Sequence, residues 1–83
     1  MEIPIELQKI IDPAKECCCV YHFSNKCKEW ANKKGFRLMS CQDEVGYCGV
    51  TQNKNYSPLL YSELCDTEPE AIFKATQWVW EYK

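Results

Sequence analysis

Seven cysteines and a single histidine are the residues of this chain best equipped for chemistry: Cys17, Cys18, Cys19, Cys27, Cys41, Cys48, Cys65 and His22. A thiolate is both a nucleophile and a soft metal ligand, so each grouping has to be weighed against those two uses. Zinc sites pair their ligands across short gaps. Here the nearest relations are the adjacent triplet and the six residues between Cys41 and Cys48, so no zinc site is expected. An odd count without a secretory leader also argues against a disulfide scaffold. Most of the seven are therefore read as reduced thiols used as small apolar core groups. Three cysteines in a row cannot all face one way on a helix or strand, so at least one of them is expected at the surface.

On a helix, His22 would lie close to Cys18 or Cys19, a spacing that suggests a thiolate–imidazole pair. A catalytic pair needs a third group to orient its base and usually draws its members from separate elements around a cleft. The sequence places no such group, and it contains no phosphate-binding glycine loop, nucleophile elbow or metal motif. Its acidic residues scatter over turns and helix ends, where they cap and solvate. The chain is read as non-enzymatic, with no catalytic residue, no cofactor and no metal.

Charge narrows the partners. Lys26, Lys28, Lys33, Lys34 and Arg37 concentrate positive charge, opposed locally by Glu29, yet the net charge is −2. A phosphate backbone calls for a clear positive surplus. The helix–sheet–helix order inferred below is shared with the double-stranded-RNA-binding domain, which grips phosphate with a lysine-rich start to its last helix. At that place this chain has Thr67, Glu68, Pro69 and Glu70, whose carboxylates repel phosphate. Nucleic acid is not expected, and the basic residues read as a solvated face or a docking site for an acidic partner.

The elements that must position these groups follow from periodicity. Eighty-three residues make one domain, with 1–22 as an N-terminal extension and 23–83 as the core. Ile3, Leu7, Ile10 and Ile11 fit two turns of an amphipathic helix begun by Pro4. A second helix is best supported over residues 24–34, with Ser24 able to cap and Gly35 a natural stop. Whether residues 14–23 extend it is open. The period then changes to alternation, giving strands at 36–42, 47–52 and 59–65, with a turn at 43–46 and a polar loop at 53–58. Thr67 and Glu70 form a capping box, Pro69 fits a first turn, and nothing interrupts a helix from Ala71 on. The fold class is α+β: a helix, a three-stranded antiparallel sheet and a helix (αβββα), preceded by a short helical extension.

Each strand carries apolar groups on both sides, which predicts a sheet covered on both faces by helices, by the N-terminal segment or by a second subunit. The last helix buries Ala71, Ile72, Ala75, Trp78, Val79 and Tyr82 on one face, with Phe73 and Trp80 as a second stripe. Either the N-terminal segment folds over that stripe, or Phe73 and Trp80 are hydrophobic anchors for a partner or a homodimer.

From about residue 23 to 82 the chain resembles the phage ABA sandwich domain, a family of short bacteriophage and prophage proteins. The resemblance rests on the helix leading into Lys34, Gly35, Phe36, Arg37 and Leu38, on Gly46 and Tyr47 at the second strand, and on the acidic-small-proline segment before the last helix. It covers about three quarters of the chain, brings no catalytic residues, and excludes the cysteines and the first 22 residues. It implies an accessory factor in the bacterial host cytoplasm, in keeping with an inhibitor that docks on a host protein, anti-CRISPR and other anti-defence roles included. Absence of a basic leader or a long apolar run argues against export and membrane insertion. Phe73 and Trp80, then Lys26, Lys28, Lys33, Lys34 and Arg37, are the expected partner-binding residues. The alternative is a protein that sequesters a nucleotide signal by stacking on Tyr47, Tyr56 or Tyr61, with a lysine near the phosphates.

Overall fold

The computed structural model describes residues 3–52 and 59–82, so the polar loop expected at 53–58 and Tyr56 within it lie outside the described residues. Element order is α1 (Ile5–Ile11), α2 (Val20–Lys33), β1 (Phe36–Gln42), β2 (Gly46–Gln52), β3 (Tyr61–Cys65) and α3 (Glu68–Glu81). The strands form an antiparallel sheet in the order β1-β2-β3, with Leu38 opposite Val50 and Val50 opposite Tyr61. This is the expected α+β arrangement.

Local chemistry explains most boundaries. Pro4 precedes α1, and Ile3, Leu7 and Ile11 turn into the core from it. Helix α2 starts earlier than the strongest sequence signal. Cys19 is its N-cap, while Ser24 sits inside the helix and donates from Oγ to the Tyr21 carbonyl at 2.8 Å. Gly35 ends α2 with φ +95°, a left-handed conformation that glycine adopts without strain. At α3 the Thr67 hydroxyl accepts from the Glu70 N–H at 3.5 Å and donates to Glu70 Oε1 at 3.2 Å. The Glu68 N–H is taken by the side chain of Gln42 on β1, at 2.6 Å. Ser40 donates to the Glu68 carboxylate, also at 2.6 Å. Strand β1 and the start of α3 are thus tied by two side-chain bonds.

Helices α2 and α3 pack side by side on one face of the sheet. Alternation sends Phe36, Leu38, Cys48, Val50, Tyr61 and Cys65 toward them, and the core closes over these with Phe23, Cys27, Ala31, Ile72, Phe73 and Val79. A Cβ on Gly46 would lie 2.0 Å from the backbone carbon of Thr67, so the sheet can meet the start of α3 this closely only at glycine. The apolar arc of α3 is wide because the helix touches all three strands and, on its flank, α2.

Two expectations need correction. Among the described residues neither a helix nor the N-terminal segment lies on the second face of the sheet, which leaves a second subunit of the three expected covers. The Cα envelope, 34 × 30 × 16 Å, is correspondingly thin. Phe73 is not a surface anchor: it is 4% exposed, edge-on to Phe23 with ring centroids 5.8 Å apart. The second stripe of α3 was the flank that α2 needed.

Candidate interaction surface

The second face of the sheet carries Arg37, Met39 and Cys41 from β1, Tyr47, Gly49 and Thr51 from β2, and Ser62 and Leu64 from β3; the residues of the two outer strands are exposed, while Tyr47 is half-buried and Gly49 and Thr51 are buried. Its centre is partly roofed by its own side chains. A Cβ on Gly49 would meet the Tyr47 hydroxyl at 2.6 Å and Leu59 Cδ1 at 2.7 Å, so both groups lie across that glycine. Met39 and Leu64 flank this centre and stay open to solvent at 44% and 65% exposure, with Leu59 exposed between. The outer edge of β1 runs along the same surface. Its length, seven residues, offers unpaired backbone groups to an added strand.

The residues expected to bind a partner are dispersed. Trp80 is half-buried against the core. Lys26 turns to Asp12, Nζ to Oδ1 3.6 Å. Lys28 and Arg37 meet in a shallow groove that Glu29, Asn32 and Leu38 complete, where α2 passes the β1 edge. Lys33 is exposed at the end of α2, and Lys34 holds its ammonium 6.0 Å from the centre of the Trp30 ring. No single basic surface collects all five cations. The tyrosines proposed for base stacking are also committed. Tyr61 stacks on Trp78 at 5.2 Å and donates its hydroxyl to Glu63, and Tyr47 lies over Gly49.

A second concavity, about 330 Å³, opens between α1 and the segment that follows it, lined by Ile5, Lys9, Asp12, Lys15 and Phe23 among others. Asp12 at its floor is fully engaged: it accepts from the backbone N–H of Glu16 and of Cys17, each at 3.1 Å, and faces Lys26. Burial opposes its charge, but the Cys17 thiol, the two amides and Lys26 outweigh that and hold its carboxyl below the usual 3.8. This carboxylate organises the loop. It has little left to offer a ligand.

Fewer thiols are core groups than expected: of the seven, Cys27 and Cys48 are buried and Cys17 and Cys65 are half-buried. Burial pushes Cys27 and Cys48 up to about 12, which keeps them protonated, while Cys18, Cys19 and Cys41 are exposed. Among the described residues no group of three or more His, Cys, Asp or Glu side chains is arranged to hold a metal ion, and no helix is long and apolar enough to cross a membrane.

The described residues define an α+β fold in which helices cover one face of the sheet and the outer strands of the other face are exposed. Comparison with protein-family models, with curated proteins and with solved structures returned no match. Met39 and Leu64 were legible as apolar strand residues. Nothing in the sequence said that their side would be left bare, because two-sided apolarity is also the pattern of a sheet covered twice.

Proposed function

We propose that this chain is a non-enzymatic protein-binding module that uses the exposed outer strands on the second face of its sheet to occupy a partner. One observation carries the reading: Met39 and Leu64 stand in water on the sheet, with Leu59 exposed just before β3, while the sheet's other face already supplies the core. Exposed apolar groups collected on one face mark contact surfaces more often than scattered ones do. Arg37 and the adjoining Lys28 groove give that surface a basic rim, suited to an acidic border on the partner.

The resemblance to the phage ABA sandwich domain favours a phage-encoded accessory factor acting in the cytoplasm of a bacterial host. There, occupying a host protein amounts to inhibiting it, and an anti-defence role of the anti-CRISPR kind fits this reading. Self-association through the same face is its competitor. Met39→Asp and Leu64→Asp should leave the fold intact, since both side chains are exposed, and should abolish retention of a bacterial protein that the unaltered chain binds. If both variants retain that protein equally well, the proposal fails. If sedimentation shows a dimer that the two substitutions dissolve, the face belongs to a second copy.

A further inference from the structure

Three strands leave two outer edges, and the two differ. The β3 edge offers five residues, while the β1 edge offers seven in unbroken register with β2, without proline and with Arg37 as their only charged residue. Natural sheets usually blunt an edge of that length with proline, a bulge or several charges. The phase of the ladder fixes which backbone groups this edge presents. The Asp43 N–H donates to the Val45 carbonyl at 3.0 Å, and the Val50 carbonyl accepts from the Leu60 N–H on the β3 side at 2.8 Å. Antiparallel pairing alternates, so Arg37, Met39 and Cys41 bond to β2, whereas Phe36, Leu38, Ser40 and Gln42 turn N–H and C=O outward. Among the described residues no backbone group meets these four from outside the sheet.

Beside this edge lies the groove of about 300 Å³ lined by Lys28, Glu29 and Asn32 of α2 and by Arg37 and Leu38 of β1. Leu38 belongs to the helix side of the sheet and Arg37 to the other, so the groove wraps the edge where Leu38 presents its backbone. Two cations against one carboxylate make it basic. A second copy paired through its own β1 would bring two such grooves together, like charge against like, which favours a different chain bearing carboxylates.

We propose that the β1 edge accepts an extended acidic peptide segment of the partner as a fourth strand, hydrogen-bonded to Leu38 and Ser40, with a carboxylate set in the Lys28–Arg37 groove. Strand addition draws affinity from the main chain and specificity from alternate side chains. The assignment rests on the protein-binding reading above and names its mode of contact.

The test selects from random peptides displayed on bacteriophage, with the folded chain as bait. Selected peptides should be rich in Asp and Glu and poor in proline, and a synthetic one should slow amide exchange at Leu38 and Ser40. Ser40→Pro removes an outward N–H, and Lys28→Glu reverses charge in the groove; each should weaken that peptide about tenfold. Should Ser40→Pro not fold, Lys28→Glu alone decides. Leu64→Asp, on the opposite outer strand, should bind the peptide as the native chain does. Selection without acidic enrichment, or undiminished binding by Lys28→Glu, overturns the proposal. So does exchange at Leu38 and Ser40 that slows as the chain's own concentration rises, which gives the edge to a second copy. Retention of a bacterial protein that survives Ser40→Pro and Lys28→Glu but is lost in Leu64→Asp overturns strand addition and leaves the protein-binding reading standing.

Discussion

Gly46 and Gly49 are three residues apart on the same strand but differ in what a methyl group would strike. At Gly46 it meets the backbone of Thr67 and Glu68, which cannot yield without moving the start of α3. At Gly49 it meets the ends of Tyr47 and Leu59, which can swing aside. Gly46→Ala should therefore cost on the order of 3 kcal/mol in denaturant unfolding and Gly49→Ala about 1 kcal/mol or less. Equal losses would show that the close approach at Gly46 is relieved elsewhere. Phe73 belongs to the same scale. Cutting it to alanine empties the contact with Phe23 and should cost about 3–5 kcal/mol. That is most of what a chain of this size holds, so Phe73→Ala should be unfolded or nearly so by circular dichroism. Asp12 sets a pH dependence. Its carboxyl is held below 3.8 in the folded chain, so its contribution is complete above the unfolded value and fades as pH falls through the lower, folded one. The stability gap between the native chain and Asp12→Asn should thus be constant above about pH 5 and narrow on the acid side. A gap that widens toward acid would contradict that assignment.

Helix α3 was the most legible element, because its start is written in side chains that act locally. Thr67, Pro69 and Glu70 need no tertiary partner to favour a first turn. What the local pattern did not contain is the contribution of β1, whose Gln42 takes the Glu68 amide and whose Ser40 meets the Glu68 carboxylate. Gln42→Ala should destabilise the chain by about 1 kcal/mol, much as loss of Thr67 would, with amide exchange quickened at the start of α3. Exchange quickened throughout the chain instead would mean that this tie is global rather than local. The width of its apolar arc was also read from sequence, but not its cause. Phe73 belongs to the seam with α2, where it meets Phe23, and a helix serving both a sheet and a neighbour needs more than one stripe. Helix α2 was legible at its glycine stop and less so at its start. A cysteine is a poor N-cap by composition, and Ser24 offered a better one at the wrong place.

For the molecule as a whole, two helices on one face of three strands leave the other face to be explained. Natural sheets of this size can keep one side wet, but they usually alternate more cleanly than Met39, Cys41, Tyr47 and Leu64 allow. Under the proposed function, a partner covering this side would account for those residues. The double variant Met39→Asp, Leu64→Asp should melt within about 1 °C of the native chain for each few tenths of a kcal/mol it loses, while binding disappears. A collapse of the melting temperature would instead make this face part of the chain's own core, reached by segments outside the described residues.

The amino-acid sequence alone determined the order of the elements, the strand alternation, the cap of α3, the glycine stop of α2 and the retreat of Cys27 and Cys48 into the core, because each depends on near neighbours or on polarity. Tertiary structure decided which apolar side of the sheet was covered, and so whether Phe73 or Leu64 would face water. It also decided which of three adjacent thiols met a carboxylate, which a helix start and which an imidazole. Hydrophobicity states how much surface a chain seeks to bury. It does not state against what, and that choice is made only when α2 and α3 compete for the same face.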